Sequence, residues 1–305
     1  MSGATWGVVA VLLNQVAARI PGHWTLATPL VLAAGHDLAA AVFLLGRLGV
    51  TGTLPRALEL VRSRHCLTIA ACSFLGGTVF MGGYLIALVQ AGPSYALTAT
   101  AMYPVFGALL ARRLLGQRLN RIAWLGVIVA VAGAAMTAVD AGSTADGVRA
   151  VIGVAIALAA DAGPALEGIA ATHAMMTVDA DTAMAVRQLF SAIQLGLLVL
   201  VVPHGASVAA VVARTGGLGL PLLVAGFIGG YSWAIWYRSI QRIGVAKAMT
   251  LNITYAMWGI LFGWLFVHAV PTSLVVAGCV VSSAGAALVI MSGGWQDGGQ
   301  PNDPE

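Results

Sequence analysis

"AGPSYALTATAMYPVFGALL" (residues 91–110) and "IGVAKAMTLNITYAMWGILF" (residues 243–262) lie 152 positions apart and align without a gap. Gly92 meets Gly244, Ala96 meets Ala248, Thr98 meets Thr250, Tyr103 meets Tyr255 and Gly107 meets Gly259. The register holds further along. Gly126 meets Gly278, and "AGAA" at 132–135 meets "AGAA" at 284–287. Chance does not keep one offset through two helices and the loop between them, so the chain is written twice.

Composition says what kind of unit is repeated. Of 305 residues, 59% are hydrophobic and 9% charged, whereas soluble domains carry about a quarter charged residues. Polar surface is too scarce to cover a soluble core. The chain reads as an all-α integral membrane protein. A span needs roughly 20 mostly apolar residues. Ten such segments fit near 4–20, 25–46, 66–89, 93–114, 121–139, 148–172, 182–202, 217–237, 246–267 and 272–291. Turn residues punctuate the gaps, as in "RIPGH", "QAGPS", "DAGST" and "VPHGA". Each half then holds five transmembrane helices. Because five is odd, the second half enters the membrane from the opposite side, the inverted-repeat plan of many secondary transporters. The expected units are 1–142 and 143–291, followed by a Gly-, Pro- and acid-rich tail, 292–305, expected to be disordered.

The basic residues set the orientation. With the N-terminus inside, Arg47, Arg56, Arg62 and Arg64 follow the second span, and Arg112, Arg113, Arg118 and Arg121 follow the fourth. Arg187, Arg238, Arg242 and Lys247 also fall inside, which leaves Arg19, Arg149 and Arg214 outside. Both termini are therefore expected in the cytoplasm, with the protein multi-pass in an inner or plasma membrane. The same count makes the basic residues topological, so no nucleic-acid partner is expected. The start "MSGATWGVVAVLLNQ" lacks a basic n-region and a small-residue cleavage site, and reads as a retained helix.

Cys66, Cys72 and Cys279 show no CxxC or metal-ligand spacing. No HExxH, GxSxG or nucleotide-binding motif occurs either. The expectation is a protein with no catalytic set, no metal and no cofactor. An intramembrane enzyme built from His36, Asp37, Asp161 and Glu167 is the weakest reading.

The stretch "YPVFGALLARRLLGQRLNRIAWLGVIVAVAGAAM" (103–136) resembles the end of the ten-helix EamA-type repeat of the drug/metabolite transporter superfamily. The features that carry the resemblance are a proline-containing fourth helix, a basic "LGQRL" turn and a Gly-spaced fifth helix. It covers the whole chain, once per half. Two positions depart from the pattern. The family's common Gly-Glu turn is here Gly116-Gln117, with His268-Ala269 in the second half. An arginine frequent in helix two is replaced by His36-Asp37, while Arg187 is kept in the second half. The resemblance implies export of small metabolites, often amino acids, or of drugs, by alternating access.

Three aromatic pairs share the 152-residue offset: Tyr84 with Trp236, Tyr103 with Tyr255, and Phe106 with Trp258. The resemblance places their helices around the central cavity. Such a collar suits an apolar or planar solute, or a cation over ring faces. Asn14 and Asn252 join it as substrate-binding candidates, Asn252 because it stands three residues before Tyr255 on one helix face. Ordinary packing is the alternative for each.

The stretch "IALAADAGPALEGIAATH" (156–173) is apolar enough to span, yet holds Asp161 and Glu167 around Gly163-Pro164. Charges at that depth need partners or a function. Six residues turn a regular helix by about 600°, leaving the two carboxylates about 120° apart unless Pro164 bends it. Arg187 lies at the depth of Glu167, which makes an ion pair the plain explanation there. Asp161 either pairs with His36 across the bundle or is a protonatable carboxyl in the cavity, and Asp37 is equally open. The leading expectation is a secondary exporter of small amphipathic metabolites, with proton coupling left open and one chain sufficient for function. The runner-up is efflux of cationic aromatic drugs with Asp161 as counter-charge.

Overall fold

The computed structural model describes residues 2–20, 27–91, 102–116, 119–139, 147–252, 254–268 and 270–292. Thr98, Thr100, Gln117, Arg118, Ala269 and the 293–305 stretch of the tail lie outside this set. So do the side chains of Asn14, Arg149 and Tyr255. No strand occurs among the described residues.

In chain order the helices are α1 (Ser2–Ala18), α2 (Ala27–Val50), α3 (Leu54–Arg62) and α4 (His65–Ser73). A π-helical turn, Phe74–Val79, joins α4 to α5 (Phe80–Ala91). Next come α6 (Tyr103–Leu114), α7 (Arg121–Val139), α8 (Gly147–Ala174), α9 (Ala180–Val201) and α10 (Gly205–Arg214). The chain closes with α11 (Gly219–Ile243), α12 (Val245–Asn252), α13 (Tyr255–Val267) and α14 (Ser273–Met291). Among the described residues, five segments are long and apolar enough to cross a membrane: Ala27–Val50, His65–Tyr84, Val151–Ala174, Ala180–Val201 and Gly219–Ile243.

The 152-residue shift relates the two halves element by element. It carries α2 onto α9, α3 onto α10, α4–α5 onto α11, α6 onto α13 and α7 onto α14. The short helices α3 and α10, neither long enough to span a membrane, occupy matching places. Two backbone specials obey the same rule. Gly52 (φ 72°) matches His204 (φ 64°), and Gly116 (φ 67°) matches His268 (φ 56°). Each ends a helix or starts the next in the left-handed region, where a side chain costs about 1–2 kcal/mol. The turn is thus conserved in shape between halves even where glycine is not.

Small residues decide how closely the helices approach. A methyl group on Gly126 would meet the Gly285 carbonyl oxygen at 2.7 Å, and one on Gly285 would meet the Gly126 oxygen at 2.6 Å. The contact is reciprocal across α7 and α14, and Gly133 extends it to the Gly278 oxygen at 2.6 Å. Between helices in lipid the hydrophobic effect is absent, and such backbone approach supplies the packing. Large apolar side chains such as Leu38, Val42, Leu67, Ile128 and Leu197 point outward, each about half exposed or more.

Two departures from the expected spans matter for the site. The third span is not uniformly α-helical, because the π turn adds a residue where Gly76 and Gly77 sit. The ninth, expected as one helix over 246–267, breaks between α12 and α13 beside Asn252. Its mate in the first half carries Pro104 at the second position of α6, where a missing N–H costs nothing.

Candidate functional site

At the centre of the bundle is a cavity of about 350 Å³. Its wall is assembled from α1 (Trp6, Leu13), α2 (Leu32, His36, Asp37), the π turn and α5 (Gly76, Gly77, Met81, Tyr84), α8 (Pro164), α9 (Arg187, Leu195) and α11 (Ser232, Trp233, Trp236). Tyr103 and Asn252 complete it. The lining is mostly apolar and aromatic, with a few convergent polar groups, as small-molecule sites are.

The polar groups form one buried network. Arg187 Nε and Nη2 donate to Glu167 Oε1 and Oε2 at 2.7 and 2.8 Å. This is the two-pronged arrangement for which a planar guanidinium is suited. The Tyr237 hydroxyl donates to Glu167 Oε1 at 2.9 Å, and Arg187 Nη1 donates to Gln188 Oε1 at 3.2 Å. Arg187 is 1% exposed and Glu167 0%. The pair fits because the π turn presents no side chains there. A methyl group on Gly76 would overlap the Glu167 carboxylate, and one on Gly77 would meet Ser191 Oγ at 2.7 Å. π turns inside α-helices often mark functional positions.

One helical turn away, Ser191 Oγ donates to Asp37 Oδ2 at 2.6 Å, and His36 Nδ1 lies 2.8 Å from Asp37 Oδ1. His36 therefore pairs with its sequence neighbour and not with Asp161. Its ring is seated against α11 through Gly229, where an added methyl would overlap the imidazole. The 152-residue shift carries Gly77 onto Gly229. Both halves thus use a glycine of the same helix to seat a buried polar side chain, Ser191 beside Arg187 in one case and His36 in the other.

Aromatic rings cover this network. Trp6 meets His36 edge-on at 5.6 Å and Trp233 at 5.3 Å, and Trp233 meets Trp236 at 5.2 Å. The Arg187 guanidinium carbon stands 5.2 Å from the Trp233 ring centre. At one edge the Tyr103 hydroxyl donates to the Met249 carbonyl at 3.0 Å and accepts from Asn252 Nδ2 at 3.3 Å. Ser2 Oγ donates to Asn252 Oδ1 at 3.1 Å.

Of the residues singled out in the sequence, His36, Asp37, Tyr84, Tyr103, Arg187, Trp236 and Asn252 line the cavity. Glu167 lies just behind it, bonded to Arg187. Trp258 is not in the wall. Its ring stacks on Phe262 at 5.9 Å, and Phe106 packs against the main core. Asp161 is fully buried, is not in the wall, and has neither oxygen hydrogen-bonded among the described residues. Pro164, three residues on, is the α8 residue that faces the space. Trp6 and Trp233 were not anticipated. Trp6 belongs to no repeat pair, and the mate of Trp233 is Met81, so a search for paired rings passes over both.

A family model described as "EamA-like transporter family" matches residues 1–139 and again 151–291. The chain belongs to the EamA-like transporter family. It is thus a multi-pass membrane transporter of the drug/metabolite superfamily, with lipid around it and a small molecule as substrate. Protein LicB of Haemophilus influenzae is 23% identical over 235 residues, spanning 74% of this chain and 76% of LicB. A solved crystal structure at 18% identity covers 95% of each chain with a TM-score of 0.70. At that identity the likeness shows the fold alone.

Proposed function

We propose that this EamA-like transporter exports small amphipathic metabolites, amino acids or their relatives, by alternating access. In this reading ten helices span an inner or plasma membrane as two inverted units, 1–142 and 143–291, with both termini cytoplasmic. A single chain forms the transport path.

The observation that supports it most is the wall itself. Opposite charges, Asp37 on α2 and Arg187 on α9, face one aromatic space of about 350 Å³. Arg187 has two of its N–H groups engaged by Glu167 and one by Gln188, and a guanidinium carries five. The remaining donors suit a substrate carboxylate. Asp37 and the Trp6 and Trp233 rings suit an ammonium group. A phosphorylated or multiply charged solute finds too little compensation in such a wall.

One observation favours the second reading, efflux of cationic aromatic compounds. Glu167 already balances Arg187, whereas Asp37 is held by the neutral Ser191 hydroxyl and by His36, and three tryptophan rings line the same cavity. Asp37 takes the counter-charge role in that case, because Asp161 lies off the cavity. The test is transport by purified protein in liposomes of an amino-acid and metabolite pool and of aromatic ammonium compounds, with and without a pH gradient. Asp37→Asn and Asp161→Asn are run in parallel. Movement of one class that is lost in Asp37→Asn supports the reading. Loss of gradient dependence in Asp161→Asn alone supports proton coupling through that carboxyl. Absence of transport of every compound by folded protein overturns the reading.

A further inference from the structure

We infer that Asp181 is the latch holding one end of the transport path shut, and that the structure already specifies which residues line the path once that latch opens. The inference rests on the alternating-access reading above and adds to it the resting state and the identity of the gate.

The cavity is blind at one end. On α2 it is lined by Pro29, Leu32, Ala33, His36 and Asp37, and by nothing between Asp37 and the C-terminus of that helix. On α9 the lining begins at Arg187, and on α11 it stops at Trp236. Beyond those residues the three helix ends are tied together by one carboxylate. Asp181, in the first turn of α9, accepts from Arg47 Nη2 at 2.8 Å, from Arg238 Nε at 2.8 Å and from Arg238 Nη2 at 2.5 Å. Two of the three stand where helix dipoles favour them: Asp181 in the first turn of α9 and Arg47 in the last turn of α2. Asp179 caps α9 through the Thr182 backbone N–H at 2.9 Å and fixes where Asp181 points.

Applying the internal shift to this end gives the comparison that matters. The mates of Asp181, Arg47 and Arg238 are Pro29, Val199 and Ile86. They stand at the open end of the same helices' counterparts and carry no charge, so the mates do not reproduce the latch. Exchange of the two halves' roles, which alternating access requires of an inverted repeat, is therefore not between equal states. The latched end is the closed one at rest.

The shift also writes the other state. Pro29, Leu32, Ala33 and His36 map onto Asp181, Met184, Ala185 and Gln188. Met184, Ala185 and Gln188 are each 0% exposed now, and Gln188 Nε2 has no hydrogen-bond partner among the described residues. A buried amide donor left unpaired is costly in a finished core. It is accounted for if water reaches it in the second state, as the cavity now reaches its mate His36.

Ala33 and Ala185 make the test symmetric, since both are alanines and each is the other's mate. In a background with Cys66, Cys72 and Cys279 replaced by serine, Ala33→Cys and Ala185→Cys are labelled separately in membranes with a small maleimide. With Asp181 intact, Ala33→Cys reacts and Ala185→Cys is protected. Adding Asp181→Asn raises labelling of Ala185→Cys by about five- to tenfold and lowers that of Ala33→Cys, the shift a lost ion-pair cluster gives to a two-state equilibrium. Arg238→Gln reaches the same result without altering α9, and Asp181→Glu keeps the parent pattern. Unchanged labelling overturns the latch, and so does a rise at both positions together, which marks general loosening. Wild-type transport in liposomes separates the two layers. Transport with unchanged labelling sinks the latch alone, whereas no transport of any compound sinks the alternating-access reading beneath it.

Discussion

Replacing Glu167 by Gln tests whether the buried network is a structural requirement. The substitution keeps the shape and one acceptor oxygen but removes the charge that faces Arg187. Arg187 is 1% exposed and donates its two shortest bonds to this carboxylate, at 2.7 and 2.8 Å. Tyr237 loses a charged acceptor at 2.9 Å in the same step. Breaking a buried pair from one side typically costs about 3–5 kcal/mol, because the remaining charge stays desolvated. Asp37, held by Ser191 on the next turn, supplies part of the balance, so the lower end, roughly 3 kcal/mol, is expected. For a chain this size that is a fall in melting temperature of roughly 5–10 °C. Thermal unfolding of detergent-solubilised protein, followed by loss of the monodisperse species, reads it out. The double variant Glu167→Gln with Arg187→Met removes both charges and is expected to recover at least half of the loss. A single variant within 1 kcal/mol of the parent, or a double variant as unstable as the sum of the singles, would refute the reasoning.

Other perturbations follow from the geometry. His204→Gly and His268→Gly place glycine at left-handed positions and should each raise the melting temperature, by up to about 1 kcal/mol in stability. Gly133→Val forces apart α7 and α14 where a methyl already meets the Gly278 oxygen at 2.6 Å. A loss of about 1–3 kcal/mol is expected, measured as the same thermal shift. Gly229→Ala pushes on the His36 ring; substrate affinity should fall more than stability, which binding and melting curves on one preparation distinguish. Trp233→Ala removes the ring beside Trp6, Trp236 and Arg187. It should weaken binding of an aromatic or ammonium ligand by about tenfold, read by calorimetry.

The frame was legible because it is written in period and offset, which survive without knowledge of contacts. Arg121–Val139 and Ser273–Met291 are mates to the residue, and apolar length alone marks their ends. What was hidden depends on small differences from the pattern. The π turn at Phe74–Val79 has no hydropathy signature, because adding one residue to an apolar run leaves it apolar. The break beside Asn252 interrupts "LNITY" with no proline or glycine to announce it. The depth of Arg187 matched that of Glu167, and depth can be counted along a helix. Whether Asp161 faced the cavity turned on rotation, and 120° from Glu167 left two directions open. The wall took Pro164 instead.

The repeat also separates frame from chemistry. Where both halves agree, the shared features are mostly glycines, alanines and turns: Gly126 with Gly278, Gly133 with Gly285, Gly52 with His204; Tyr103, the mate of Tyr255, also reaches the cavity wall. Where the halves carry a charge in the core, the mates do not. Asp37 faces Leu189 across the shift, Arg187 faces Gly35, Glu167 faces Gln15, and Asp181 faces Pro29. Duplicated ion pairs would double the cost of burying charge and, in the proposed alternating-access cycle, would make the two states alike. Keeping them in one copy lets the same backbone frame hold a single polar site and leaves the two ends differently charged. A search for function in such a chain therefore does best where the repeat fails, and Asp37, Arg187 and Asp181 are three such places.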